Sequence, residues 1–202
     1  AIPDDAELGL DPLLDDDVSK VRAAAARAYG HLGRVAVGEL GDIIKHESSD
    51  VAEAAAWGLV AAVEAGAPAG RAAAALSPLL KTDKPLVAQV IAQMARTRGA
   101  NVLGYLQNFV RDKDSPTVRS AAVDGLCFAS AHPGSTAARS ASVLLGVAAN
   151  DSVVAVRRQA AQCLAPVADP KSHLDRDETA EALELAIEDR DPHVAELALF
   201  AL

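Results

Sequence analysis

The sequence predicts an all-α fold, an α–α superhelix of about six helical hairpins. Three observations lead to this prediction: an apolar helical pattern that recurs along the chain, a shorter amphipathic segment before each copy, and a composition rich in alanine. Half of the residues are hydrophobic, but only 3% are aromatic. Because alanine is the best helix former and lets helix axes approach one another, this composition favours closely packed helices over a sheet sandwich.

The clearest copy of the recurring pattern spans residues 114–129. It opens with an Asp-Ser-Pro turn, which supplies a capping side chain and a proline where a helix can begin. Small and apolar residues then follow at i, i+4, i+7, i+8 and i+11, which is one face of a helix. The first of these is the anchor of the repeat, and the anchors along the chain are Val21, Val51, Val87, Val118, Val156 and Val194.

The spacing of the anchors is typical of a helical hairpin repeat, since neighbours lie between 30 residues (Val21 to Val51) and 38 residues (Val156 to Val194) apart. We therefore predict one continuous array over residues 1–202. Its repeats are expected near 4–33, 34–66, 67–98, 99–132, 133–170 and 171–202. An acidic turn joins the two helices of each pair, and its Asp or Ser is expected to cap the second helix. The missing initiator methionine, and an end inside a predicted helix, suggest a fragment of a longer chain.

The turn and the residues after it resemble HEAT repeats, in particular the short HEAT-like type found in PBS lyases. The signature is a turn Asp, then Val-Arg, then paired Ala, and it stands at residues 17–25, 114–122 and, without the turn, 156–161. The resemblance implies that the Arg and the turn Asp tie one repeat to another. Arg22, Arg119 and Arg157 keep the Arg. The second, third and sixth repeats have Ala52, Ala88 and Ala195 there, so the ladder of Asp–Arg pairs is expected to be interrupted at those repeats.

Charge and cysteine content limit the possible partners and locations. The formal net charge of −9 suits a partner with a basic surface, and it argues against a phosphate-binding stripe for nucleic acid. No apolar run is long enough for membrane insertion. Cys127 and Cys163 lie in apolar helical contexts without CxxC spacing, so a buried, reduced pair is expected. Together with the absence of a visible signal segment, this favours an intracellular, cytoplasmic location.

The candidate partner-binding residues come from helical geometry together with the resemblance. In HEAT proteins the second helices line the concave surface, and the positions opposite the buried face are i+2, i+6 and i+9 from the anchor. Trp57 is the strongest candidate, because an exposed Trp is a favoured hot-spot residue. The alternative is that a neighbouring linker covers it. The full candidate set is Arg27, Glu53, Trp57, Gln89, Gln93, Asp124, Arg158 and Gln162.

These observations predict a non-catalytic scaffold that holds a protein partner, within a larger assembly. The first alternative is a lyase-type enzyme or accessory factor on a HEAT-like fold, and the second is a nucleic-acid-binding HEAT protein. The His46-Glu47 pair falls in a turn, and no HxxxH or HExxH motif is present, so we expect no metal site and no cofactor. No constellation of catalytic residues stands out.

Overall fold

The computed structural model describes residues 5–97, 101–131, 137–164 and 183–200, and these residues form helices and turns without a strand. The chain divides into two compact units, Ala1–Val102 and Leu103–Leu202. The predicted all-α repeat architecture is confirmed. The repeat boundaries predicted at 98/99, 132/133 and 170/171 lie outside the described residues, and the continuous array stays a prediction.

The first unit contains three helix pairs, in which α1 precedes α2, α3 precedes α4 and α5 precedes α6. Short 3₁₀ turns follow α2 at Gly30–Val35 and α5 at Ser77–Leu80. The helices are α1 Asp5–Leu14, α2 Ser19–Tyr29, α3 Ala36–His46, α4 Ser49–Glu64, α5 Ala69–Ala75 and α6 Lys84–Met94. Helix α4 is central to the unit, because it packs against α2, α3, α5 and α6.

The second unit contains the remaining three pairs. Helix α8 packs against α7, α9 and α10, and α10 packs in turn against α12. The helices are α7 Leu103–Phe109, α8 Pro116–Ala131, α9 Ala137–Asn150, α10 Val154–Gln162, α11 over residues 183–187, and α12 Pro192–Phe200.

The recurring apolar pattern forms the core of both units. Every i+4 position is buried, from Ala25 and Ala55 in the first unit to Ala160 and Ala198 in the second. Ala28 is the exception among the described i+7 positions, since it is exposed. Helix α2 buries Ala26 in addition to Ala25 and Tyr29, its i+4 and i+8 residues, and Gly30, directly after the helix, lies against α4.

Two glycines set the distance between α2 and α4. A Cβ added to Gly30 would lie 2.0 Å from the carbonyl oxygen of Gly58, and one added to Gly58 would lie 2.6 Å from the carbonyl oxygen of Ala26. Any side chain at these positions would push the two backbones apart. The small residues predicted to bring the second helices together therefore act at this contact.

The turn residues cap three of the second helices and fail to cap the others. The Asp83 carboxylate accepts from Leu86 N in α6, and Asp191 and Ser115 cap α12 and α8 in the same manner. The prediction is wrong for α2, α4 and α10, whose first turns receive no side-chain cap. Before α2 and α10 the turn Asp closes the turn itself by accepting the amide hydrogen two residues later.

The two cysteines form a disulfide, so the predicted reduced pair is wrong. Cys127 on α8 and Cys163 after α10 have Cα atoms 5.1 Å apart, within the range that a disulfide spans. The bond crosslinks the second helices of two neighbouring repeats. Disulfides persist in oxidising compartments. The cysteines therefore no longer support the predicted intracellular location. None of the described helices is both long enough and apolar enough to cross a membrane.

Candidate protein-binding surfaces

The first unit carries five of the candidate residues on three adjacent second helices. We call this set the unit 1 face: Arg27 on α2, Glu53 and Trp57 on α4, and Gln89 and Gln93 on α6. Arg27, Glu53 and Gln89 are exposed, while Trp57 and Gln93 are partly exposed. None of the five makes a hydrogen bond or an ion pair with another described residue. Their polar groups are therefore available to a partner.

The unit 1 face is built by the helical period. On α4, the anchor Val51 and Leu59 are almost fully buried, at 1% and 0% exposure. Glu53 and Trp57 lie on the other side of the same helix, four residues apart, so their side chains are neighbours along its surface. Gln89 and Gln93 form the equivalent row on α6. Helix α4 contacts both α2 and α6, which brings the three groups of side chains onto adjacent helices.

The second unit carries the other three candidates, and two of them are already paired. Asp124, Arg158 and Gln162 are exposed on α8 and α10. The amide of Gln159, which sequence reasoning did not single out, donates to Asp124 Oδ1 at 2.5 Å and to the carbonyl oxygen of Ser120 at 3.1 Å. The Ser120 hydroxyl donates to Gln159 Oε1 at 2.7 Å. These bonds connect the second helices of two repeats.

Arg158 makes a two-point ion pair with Asp191. Its Nε donates to Asp191 Oδ1 at 2.8 Å, and Nη2 donates to the other carboxylate oxygen. The guanidinium lowers the pKa of Asp191 to about 2, chiefly through this hydrogen bond. From the sequence, Asp191 is only a residue of the acidic turn before α12. Its ion pair was not predicted, because Arg158 lies more than thirty residues earlier in the chain.

A second set of arginines ties neighbouring repeats together, as the resemblance implied. Arg119 donates to both carboxylate oxygens of Asp151, at 2.7 and 3.0 Å, and to the carbonyl oxygen of Asp112 at 2.9 Å. The Arg119 and Asp151 side chains are only 7% and 5% exposed. The hydrogen bond to Asp151 raises the pKa of Arg119. Arginine is suited to such a pair because its planar fork matches a carboxylate.

The same arrangement recurs with Arg157 and, in altered form, with Arg22. Arg157 donates to Asp189 at 2.5 and 3.0 Å and lowers the pKa of that carboxyl. Arg22 pairs with Glu47 instead of an aspartate, at 3.1 Å from Nε to Oε2. Ala52 and Ala88, at the corresponding positions of α4 and α6, are buried and packed.

The described residues show no arrangement that suggests a metal site. No group of three or more His, Cys, Asp or Glu side chains is placed to hold an ion within this part of the chain. His46, the one histidine next to a glutamate, is exposed, and its Nδ1 lies 3.0 Å from the carbonyl oxygen of Asp42.

Comparison with known proteins identifies the fold. No protein-family model matches the sequence, and no curated protein matches it. Solved structures do. An engineered protein aligns with a TM-score of 0.57 and 21% identity, over 100% of this chain and 98% of its own. A designed armadillo repeat protein aligns with a TM-score of 0.57 and 16% identity, over 96% and 97%. Another, in complex with the peptide (KR)4, aligns with a TM-score of 0.58 and 15% identity, over 96% of each chain. The chain therefore has the helical-repeat fold of the α-solenoid class.

Proposed function

We propose that this protein is a non-catalytic scaffold that binds a protein partner on the second helices of its repeats. The observation that carries the proposal is the unit 1 face. Its charged and amide groups have no partner among the described residues, and a partly exposed Trp lies between them. Exposed polar groups that are hydrogen-bonded only to water can exchange that water for the groups of a partner, and the Trp beside them can serve as an aromatic anchor.

The chemistry of the unit 1 face fits a peptide segment. Trp57 offers a large amphipathic surface that loses little conformational entropy on binding. Gln89 and Gln93 each carry a donor and an acceptor, which can pair with the amide and carbonyl groups of a peptide backbone. Arg27 and Glu53 add one positive and one negative charge. Selectivity among peptides would therefore come from the positions of these charges and not from an electrostatic field of one sign.

The second unit contributes contacts of a different kind. Asp124 and Arg158 are exposed but hydrogen-bonded within the chain, so a partner must compete with Gln159 and Asp191 for them. Gln162 is exposed beside them on α10. We therefore place the binding on the unit 1 face and keep these three residues of the second unit as separate, secondary candidates.

Two further observations favour a protein partner with a basic surface. The formal net charge of −9 attracts such a surface over distance. One of the structurally similar designed proteins is in complex with the peptide (KR)4, and another was designed for modular peptide recognition. Those designs support the proposal only through the shared fold.

The test is an affinity purification from the native source with three forms of the protein. The first is the wild type, the second carries Trp57→Ala and Gln93→Ala, and the third is a control with Arg71→Ala and Lys81→Ala, two exposed residues away from the unit 1 face. We expect one protein to be recovered by the wild type and the control and lost with the face variant. Recovery of the same proteins by all three forms would contradict the assigned surface.

A further inference from the structure

A groove in the second unit lies between the turn after α7 and helix α9, the first helix of the next pair. It has a volume of about 610 Å³. Its apolar lining comes from three valines, Val110, Val143 and Val147, which we call the valine floor, and Gly146 lines the groove without a side chain. The size is within the range of pockets that hold small ligands or a few peptide residues.

The turn beside the groove belongs to a set of four with a common geometry. In each, an aspartate accepts the amide hydrogen of the residue two positions later through Oδ1: Asp16, Asp112, Asp151 and Asp189. The geometry depends on the aspartate, so the residues on either side of it are free to vary.

The flanking residues of these turns differ in charge. Asp16 is flanked by two aspartates, Asp151 by Asn and Ser, and Asp189 by Glu and Arg. Asp112 alone among the four has a cation on each side, Arg111 and Lys113. Both cations are exposed, line the groove, and make no ion pair with another described residue.

The two carboxylates that line the groove, Asp112 and Asp151, already accept hydrogen bonds from other groups of the protein. Asp112 is buried and accepts two turn amides, at 3.1 and 2.8 Å. The Asp151 carboxylate receives both donors of the Arg119 fork. The other polar lining residues, Ser142, Asn150 and Ser152, are neutral. The rim therefore presents positive charge beside an apolar floor, in a protein whose formal net charge is −9.

We propose that this groove binds an acidic segment of a partner protein, with carboxylates at Arg111 and Lys113 and an apolar side chain on the valine floor. Carboxylates suit this rim because Arg can bind one through two parallel hydrogen bonds. The negative charge elsewhere on the protein repels an acidic chain at long range. Only a segment that places its carboxylates at the two cations therefore gains binding free energy. Two cations without a neighbouring aromatic are too few for a nucleic-acid strand.

The test measures fluorescence anisotropy with a library of short labelled peptides. Each has carboxylates on both sides of a central Leu or Phe, and each is paired with a version in which Asn and Gln replace Asp and Glu. We expect some acidic peptides to bind and their amide versions to bind at least about tenfold more weakly, which corresponds to about 1.4 kcal/mol. If no acidic peptide binds better than its amide version, the proposal is wrong.

Two variants locate the binding, each with a matched control. Arg111→Glu combined with Lys113→Glu should abolish it, whereas reversing Arg71 and Lys81 in the first unit should not. Gly146→Leu should also abolish it without a change in charge, because a Cβ there meets nothing within 4 Å and the new side chain fills the groove.

Gly104→Leu is the control for the steric test, since this glycine is equally open, lies in the same unit and does not line the groove. Both Leu variants should fold, because each replaces a helical Gly by a better helix former. Binding that survives Gly146→Leu, or that a single-stranded nucleic acid displaces, would overturn the proposal.

Discussion

Breaking the Cys127–Cys163 disulfide should destabilise the second unit by a predictable amount. The bond joins α8 to the end of α10 and closes a loop of 36 residues. Reduction by a phosphine removes no side-chain atom and adds only two hydrogens. The comparison between oxidised and reduced protein therefore isolates the crosslink from the packing of the sulfur atoms, which a Cys→Ala change would also remove.

The magnitude follows from the loop length. In the chain-entropy description, a crosslink that closes a loop of 36 residues lowers the entropy of the unfolded chain by about 13 cal/mol/K, which is about 4 kcal/mol near room temperature. A stability of ~5–15 kcal/mol is usual for a whole domain. The loss should therefore be large enough to measure without ambiguity. The unfolded state should also expand, so the slope of the denaturant curve should rise.

The assay is guanidinium unfolding followed by circular dichroism, with and without the reductant. The expected result is a fall of about 4 kcal/mol in the free energy of unfolding. A double Cys→Ala variant is the control and should not respond to the reductant. Two results would refute the reasoning: a loss below about 1 kcal/mol, or a mass spectrum of the oxidised protein that shows two free thiols.

Four other substitutions, one of them with a matched control, test the packing and the ion pairs. Ser140→Ala should raise the free energy of unfolding by about 1–2 kcal/mol, because this hydroxyl is fully buried and has no hydrogen-bond partner among the described residues; a fall in the thermal midpoint would contradict this. Arg119→Ala should cost about 3–5 kcal/mol in denaturant unfolding, because it leaves the Asp151 carboxylate buried and unpaired. Gly58→Ala should cost about 1–3 kcal/mol through overpacking in the same assay, whereas Gly38→Ala, in open space, should not destabilise. The folded pKa of the Asp191 carboxyl is about 2, below its ordinary 3.8, so its stabilisation is full above pH 3.8 and is lost as the pH falls toward 2. Asp191→Asn should flatten that acid limb in urea curves taken from pH 6 downward, and an unchanged slope would contradict the pairing.

Helical periodicity predicted the buried columns well, because each depends only on positions within one helix. Val51, Ala55 and Leu59 are buried as their spacing on α4 requires. The prediction for Ala28 is wrong, since it is exposed, whereas Ala26 is buried on α2 where Gly30 and Gly58 let α2 and α4 approach closely. Ala25 and Tyr29, at i+4 and i+8 on the same helix, are buried as expected.

The features missed from the sequence all depend on how one repeat is displaced relative to the next. Cys127 lies at i+9 from its anchor and Cys163 at i+7, so the helical phase did not place them opposite each other. They come together because α8 packs against α10. The pairing of Gln159 with Asp124 arises in the same way. The Asp–Arg pairs also join neighbouring repeats, over 32 residues of sequence, and they were expected only because the sequence resembles HEAT repeats.

The binding residues were chosen by their helical phase, and the structure gives their exposure and their internal partners but no partner molecule. Trp57 is partly exposed between polar side chains. A label on this residue can therefore report whether a partner binds at the unit 1 face. The chain has a single Trp. Incorporation of 5-fluorotryptophan therefore produces a single ¹⁹F resonance, which can be followed as a recovered partner is titrated into the protein.

This ¹⁹F titration tests the central proposal most directly. If the partner binds on the unit 1 face, the Trp57 resonance should shift and saturate with the same dissociation constant that calorimetry gives, and Gln93→Ala should weaken both measurements together. If calorimetry shows binding while the Trp57 resonance does not move, the partner binds elsewhere, and the unit 1 face is not the binding surface of this scaffold.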